Sequence, residues 1–408
     1  MVEKVENKLK KTLLDHKDQK GLSIISLIDD LVEEAQRLRA SDIHIDPQAD
    51  SVRVRYRIDG VMADHHTLPK TIHSEVITRI KILSGLRTDE HQSALDGRFR
   101  LTIDGTPIDI RVSIAPAYYG ENAVLRLLSD KAQDFTLTTL GFSEENQKKI
   151  LSAIQRPYGM ILATGPTGSG KTTTLYTLLK KLSTPEVSII TIEDPIEYSI
   201  SGINQIQANT RTGLTFAQGL RSILRQDPNI IMVGEIRDAE TAGIAVNTAL
   251  TGHLLLSTLH TNDAATTLPR LLDMKIEPYL IASTVNIAIG QRLMRKICEH
   301  CKKELKFTKE EMKSLHETLP LPAKGTFRAW RGGGCDACAG SGYRGRLGIH
   351  EVMVVDEPIR QAVVRKATAT ELRAIAVERG MITMLEDAVE KVAAGLTTID
   401  EVMRMLHE

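Results

Sequence analysis

The sequence predicts an α/β fold: a domain with a mainly parallel sheet, preceded by a small α/β domain with an antiparallel sheet and interrupted by a tetracysteine zinc insertion. Three observations predict it. Gly165-Pro166-Thr167-Gly168-Ser169-Gly170-Lys171-Thr172 joins the apolar run Met160-Ile161-Leu162-Ala163 to a helical run from Thr173 to Leu179, in the order strand, glycine-rich loop, helix. Beyond that loop, short apolar runs alternate with helical patterns, which implies parallel strands joined by crossover helices. Upstream, apolar and polar residues alternate singly and are broken by Asp-Gly pairs, the mark of antiparallel hairpins.

The loop has the spacing G-x-x-x-x-G-K-[ST] of a phosphate cradle. Glycines let backbone N–H groups converge on phosphate oxygens, and the helix that follows adds its positive end. Lys171 has the reach for the β- and γ-phosphates of ATP, and the Thr172 hydroxyl suits Mg²⁺. Gly165 through Thr173 are therefore the candidate nucleotide-binding residues.

At 408 residues the chain has room for two or three domains. Lys plus Arg and Asp plus Glu number 52 each, so the formal net charge is zero; this disfavours nucleic-acid binding through bulk charge. No apolar run approaches the roughly 20 residues that cross a bilayer. Met1 to Lys20 is Lys-rich and lacks the apolar centre of a signal peptide. The expectation is a cytoplasmic protein that serves a membrane, if at all, by docking.

Residues 1–20 read as a flexible arm. Ile25, Ile28, Leu31, Val32 and Ala35 fall at helical spacing between Leu22 and Leu38. Val52, Val54, Tyr56 and Ile58 alternate with Arg53, Arg55, Arg57 and Asp59, a half-buried strand that ends at the turn Asp59-Gly60. A helix over His73–Leu86 and strands over 99–103, 108–114 and 124–128, with a turn at Asp104-Gly105, complete a domain over 21–130. Lys131 to Thr139 reads as a linker. In the domain over 140–408, helices are expected at 144–154, 215–225 and 239–250, and strands at 187–192, 230–233 and 254–258. From Ala264 onward the pattern reads as helical apart from the cysteine region over 295–345, with a helical part over 355–408.

Three polar strand ends follow the loop: Glu193-Asp194-Pro195-Ile196-Glu197, then Gly234-Glu235, then His253 and His260 on either side of Leu254–Thr258. ATP hydrolysis needs a carboxylate to orient water and groups around Mg²⁺, and a polar residue ending a buried strand beside the loop suits either task. Cys298, Cys301, Cys335 and Cys338 form two C-x-x-C hooks with no cysteine left over. Together they offer four thiolates for tetrahedral Zn²⁺. Gly332-Gly333-Gly334 and Gly340-Ser341-Gly342 supply the freedom such knuckles need. Arg292, Arg295, Lys296, Lys302 and Lys303 read as a solvated or protein-docking face rather than a nucleic-acid patch.

With these motifs assembled, the chain resembles the secretion-type motor ATPases, most of all the assembly ATPases of type II secretion and type IV pilus extension. The resemblance runs from about Ser41 to the C-terminus. It rests on Ser41-Asp42-Ile43-His44, Arg57-Ile58-Asp59-Gly60, the phosphate loop, Glu193–Glu197, Gly234-Glu235-Ile236-Arg237-Asp238 and Gly252-His253 to His260-Thr261-Asn262, with the tetracysteine element as a mark of the assembly branch. It implies a RecA-like motor domain behind a PAS-like small domain, a homo-hexameric ring, and inner-membrane platform and docking proteins as partners. The nucleotide is then expected between the two domains, with Arg98, Arg111 and Arg126 helping to bind phosphate and Arg221 and Arg225 facing the nucleotide or a neighbouring subunit. Two departures stand out. The Walker B-like strand ends in Gly234-Glu235 without an aspartate, which shifts Mg²⁺ handling to Thr172, waters and an outer-shell Glu193 or Glu235. The N-terminus is also short, and the expectation is that it lacks the extra docking domain of many assembly ATPases.

The expected function is an Mg²⁺-dependent ATPase that powers pilin or pseudopilin assembly from the cytoplasmic face of the inner membrane. Lys171 neutralises phosphate charge, Glu235 activates water with Glu193 as second candidate, and His260 senses the γ-phosphate. A ring ATPase that moves DNA and a non-hydrolysing ATP-binding switch are the alternatives.

Overall fold

The computed structural model describes residues 23–103, 105–128, 135–321 and 327–407. The predicted arm 1–20, Asp104 of one predicted turn and residues 131–134 of the predicted linker lie outside the described residues. The chain forms two compact units, Met1–Gln133 with Gly334–Ser341, and Asp134–Gly333 with Gly342–Glu408.

The first unit opens with helix α1 (Ile24–Arg37), capped by the Ser23 side chain, which accepts from Ser26 N–H. Its buried stripe of Leu27, Ile28, Leu31, Val32 and Ala35 has the helical spacing seen in the sequence. Strands β1 (Ala40–Pro47), β2 (Ser51–Ile58) and β3 (Val61–Pro69), helix α2 (His73–Leu83), then β4 (Leu95–Ile103), β5 (Thr106–Ala117) and β6 (Gly120–Leu128) follow. The strands form one antiparallel sheet in the order β3-β2-β1-β6-β5-β4. The Asp59-Gly60 turn is a hairpin with both residues at positive φ, 50° and 88°, as a two-residue turn between twisted strands requires. Along β2, Val52, Val54 and Tyr56 are buried and the arginines between them are not.

The second unit contains α3 (Glu144–Ile154), β7 (Gly159–Thr164), α4 (Lys171–Leu182), β8 (Ile189–Glu193), β9 (Asn204–Gln207), α5 (Phe216–Ile223), β10 (Ile230–Val233), α6 (Ala239–Leu250), β11 (Leu254–Leu259), α7 (Thr267–Asp273), α8 (Pro278–Thr284) and β12 (Val285–Ile297). The ribbon strands β13 (Lys302–Leu305) and β14 (Ala329–Gly332) flank α9 (Lys309–Thr318), and β15 (Tyr343–Val354) and helices α10 (Glu357–Val364), α11 (Ala369–Glu378), α12 (Met384–Ala393) and α13 (Ile399–His407) close the chain. The main sheet has the order β15-β12-β7-β11-β10-β8-β9 and is parallel except for β15. Helices α3 and α4 cover one face of it through Ile150, Leu175 and Leu178, and α6, α8 and α10 cover the other through Ala245, Ile281 and Ile359. Strands β7, β8, β10 and β11 are buried along their whole length, which is why they read as unbroken apolar runs.

One expectation needs correction. The stretch after Ala264 is not simply helical: β12 and β15 are the longest strands of this sheet and pair along most of their length. Residues 285–291 are buried on both faces, so the polar–apolar alternation that marks a half-exposed strand is missing there.

Candidate functional site

The phosphate loop sits between the C-terminal end of β7 and the first turn of α4. Gly170, the residue before the helix, has φ 89°, and Gly165 and Gly168 also have positive φ. Lys171 Nζ lies back over the loop and donates to the carbonyls of Gly165 (2.8 Å) and Pro166 (3.0 Å). Burial lowers its pKa, and the nearby Glu235 charge pulls it the other way. Ser169 Oγ is buried with no hydrogen-bond partner among the described residues, an orphan of the kind a phosphate oxygen satisfies. Pro166, Thr167 and Gly168 are exposed, and Thr172 and Thr173 half-buried. The loop therefore fits a nucleotide phosphate, with the helix N-terminus aimed at it.

The neighbouring parallel strands deliver the polar strand ends. Glu235 follows β10. Gly234 N–H donates to Ile192 O (2.7 Å) and Ile236 N–H to Thr258 O (3.0 Å), which fixes the backbone on both sides of it. Its Oε2 accepts from His260 Nε2 (2.9 Å) and Arg237 Nε (2.6 Å). Those two partners are 46% and 66% exposed, while the Glu235 side chain itself is 10% exposed, so the carboxylate is shielded by side chains that face solvent. Beside it lies a recess of about 360 Å³ lined by Arg237, His260, Arg270 and Met274. Thr261 N–H donates to Thr164 Oγ1 (3.1 Å), tying the His260 loop to the end of β7 just before Gly165.

Glu193, at the end of β8, is different. It is 2% exposed. One carboxylate oxygen accepts from Tyr176 OH of α4, and the other from Thr191 Oγ1 (2.5 Å) and Gln205 Nε2 (3.1 Å). The tyrosines respond: burial and the Glu193 charge raise the Tyr176 pKa, and push Tyr198 up to about 12. His253 precedes β11 and its ring contacts Thr248 O, so it stands at the opposite end of that strand from His260. Arg221 pairs with Glu240 (2.8 Å), and Arg225 donates to Arg221 O.

In the first unit the three predicted arginines form one cross-strand row. Arg98 lies opposite Arg111, Arg111 opposite Arg126, and Arg126 opposite Asp42, which also faces Arg57. Asp42 accepts from Arg126 Nε at 3.0 Å. Like charges directly opposite on a sheet repel, and Asp42 offsets part of that charge through its pairs with Arg126 and Arg57.

The ligand atoms of Cys298, Cys301, Cys335 and Cys338 all lie within 4.8 Å of one another, and Sγ of Cys335 and Cys338 are 3.7 Å apart. Sulfurs around one tetrahedral ion with 2.3 Å bonds stand about 3.8 Å apart, so the donor set and spacing fit a single metal. All four are free of disulfides. A Cβ on Gly332 would fall 2.1 Å from Gly342 O, so glycine is what lets the two sides of the knuckle close. Three of the five basic residues nearby are engaged internally: Arg295 pairs with Glu401 (2.7 Å), Arg292 donates to Met405 O, and Lys302 lies over Trp330, while Lys303 is exposed.

Sequence reading missed Tyr176, Arg237 and Gln291. Arg237 sits inside a motif already singled out. Tyr176 and Gln291 carry no local signal, since each acts through a residue far off in the chain.

A family model described as "Type II/IV secretion system protein" matches residues 17–404. The type IV pilus assembly ATPase PilB of Thermus thermophilus is 47% identical over 373 residues, 91% of this chain and 42% of that protein. The type II secretion system protein HxcR of Pseudomonas aeruginosa is 45% identical over 396 residues, 97% of this chain and 80% of that one. The chain thus spans less than half of the Thermus relative. Among solved structures, the pilus retraction motor PilT with bound ADP matches with a TM-score of 0.62 and 26% identity, covering 92% of this chain and 96% of that one. The Legionella pneumophila ATPase DotB shares the fold, with a TM-score of 0.68 at 23% identity over 94% of this chain and 95% of that one. With the family match over nearly the whole chain and relatives above 40% identity, the chain belongs to the type II/IV secretion system protein family.

Proposed function

We propose that the chain is an Mg²⁺-dependent ATPase that works as a homo-hexameric ring at the cytoplasmic face of the inner membrane and powers pilin or pseudopilin assembly through platform and docking proteins. No helix among the described residues is long and apolar enough to cross a membrane. The observation that carries the reading is the cluster of Lys171, Glu235 and His260 at adjoining strand ends, with Glu235 electrostatically coupled to Lys171 and hydrogen-bonded to His260.

Lys171 and the loop N–H groups hold the β- and γ-phosphates. Thr172 would hold Mg²⁺, which would neutralise phosphate charge when bound. Glu235 orients and deprotonates the attacking water; its partners His260 and Arg237 face solvent and can give way to that water, whereas Glu193 is held by three buried donors. His260 and Arg237, both on the Glu235 carboxylate, register the state of the γ-phosphate by exchanging partners with it. The row of Arg98, Arg111 and Arg126 receives phosphate charge. Cys298, Cys301, Cys335 and Cys338 would hold Zn²⁺, which would lock the knuckle when bound.

The test is phosphate release by purified protein, resolved by oligomeric state, with and without double-stranded DNA. Ring-confined, DNA-indifferent turnover that Lys171→Ala abolishes together with nucleotide binding is expected. DNA stimulation that fades at high salt, or turnover that survives Lys171→Ala, overturns the reading.

A further inference from the structure

Gln291 lies in β12, opposite His350 of β15, and is 1% exposed. Its amide is used at both ends. Nε2 donates to Ser169 O at 2.7 Å, and Oε1 accepts from Thr174 Oγ1 at 2.7 Å. One side chain from a distant strand thus bridges the phosphate loop and the first turn of α4. Two loop glycines are shaped around the same residue. A Cβ on Gly165 would fall 2.2 Å from Gln291 O, and one on Gly170 would fall 2.7 Å from its Nε2.

The consequence follows from peptide geometry. In a trans peptide the C=O and the next N–H point in opposite directions. Holding the Ser169 carbonyl toward β12 therefore turns the Gly170 N–H away from β12, toward the hollow of the loop. Gly170 has no side chain to resist a peptide flip, and glycine backbone is the easiest to reorient, so this loop needs an outside brace.

We propose that Gln291 is a positioning residue for nucleotide binding: it sets the Ser169–Gly170 peptide so that the Gly170 N–H faces phosphate before nucleotide arrives. Donor and acceptor have separate tasks. The donor to Ser169 O aims the peptide. The acceptor from Thr174 keeps the amide from flipping. The proposal rests on the reading of the loop as the ATP site, and its failure is distinguishable from the failure of that reading, which Lys171→Ala tests.

Gln291→Glu removes the donor and keeps an acceptor for Thr174; Thr174→Val removes only the second bond. Both full-length variants are compared with wild type by ADP titration, by steady-state kcat and KM for ATP, and by thermal unfolding. The expected result is a ten- to hundredfold weaker ADP affinity and higher KM in Gln291→Glu, with kcat at saturating ATP within about threefold. Thr174→Val should weaken ADP binding only two- to threefold. ADP affinity within twofold of wild type in a folded Gln291→Glu overturns the proposal. So does an equal loss in both variants that tracks their loss of thermal stability. If Gln291→Glu does not fold, Gln291→Met, which keeps the bulk and loses both bonds, takes its place with the same expectation and the same overturning result.

Discussion

Glu193 and Glu235 end neighbouring parallel strands, β8 and β10, and in the sequence they look alike: a carboxylate after a short apolar run. In the fold they are opposites. Glu193 is enclosed by Tyr176, Thr191 and Gln205, and Glu235, also buried, is held by His260 and Arg237, whose own side chains face solvent. A carboxylate with three of its roughly four acceptor sites filled by buried donors stabilises the structure around it and has little capacity left for water. One whose partners sit in solvent can exchange them during a reaction. Strand-end position nominates a catalytic carboxylate, and whether its hydrogen-bond partners are buried or face solvent decides between nominees.

The largest effect should come from Glu235→Gln, which keeps shape and removes the base. Turnover is expected to fall by two to four orders of magnitude while ADP affinity stays near wild type. In a like-for-like assay Glu193→Gln should lose far less turnover. Its amide NH₂ would instead point at donors, lowering unfolding free energy by about 1–3 kcal/mol in urea titration. A Glu193→Gln protein of native stability with turnover as low as Glu235→Gln would reverse the assignment of the two residues.

A second contrast sets the cysteine knuckle against those carboxylates. Cys335→Ser should lower bound zinc well below one per chain by metal analysis and lower the melting temperature by several degrees, because metal-binding energy is folding energy at such sites. Unchanged metal content would remove the knuckle from the zinc reading.

The smallest effect belongs to another sealed group. His350 is fully buried, stacked on Phe142, with both ring nitrogens unpartnered among the described residues. Its backbone N–H donates to Asp387, which pairs with Lys391. Burial, with the Lys391 charge, holds its pKa well below the ordinary value of 6.5. The unfolded chain therefore takes up the proton first as pH falls. Stability is fully present above pH 6.5 and declines below it, by up to about 1.4 kcal/mol per pH unit for this group. Urea titrations at pH 7.5 and 5.5 should show a larger loss in wild type than in His350→Leu. Equal slopes would mean that His350 is not held neutral.

Much of this was legible from residue order. The phosphate loop declared itself because its chemistry is local: eight consecutive residues supply the glycines, the lysine and the helix start. The first unit's strands were legible because one face is wet, so Val52, Val54 and Tyr56 alternate with arginines. Strands β12 and β15 were not, because burial on both faces erases alternation. The arginine row shows the middle case. Arg98, Arg111 and Arg126 were named through a family resemblance, yet only the register of β4, β5 and β6 makes them neighbours.

By itself the sequence determined the α/β class, the phosphate loop, the paired cysteine hooks and the family, since each is written in short-range spacing or in similarity along the chain. The tertiary structure alone decided that Glu235 meets His260, that Tyr176 closes over Glu193, and that Gln291 reaches Ser169 across 122 positions of chain. Those are contacts between strand ends and between a strand and a loop. Their partners are chosen by sheet order and register, and a parallel sheet joins strands that no local pattern connects.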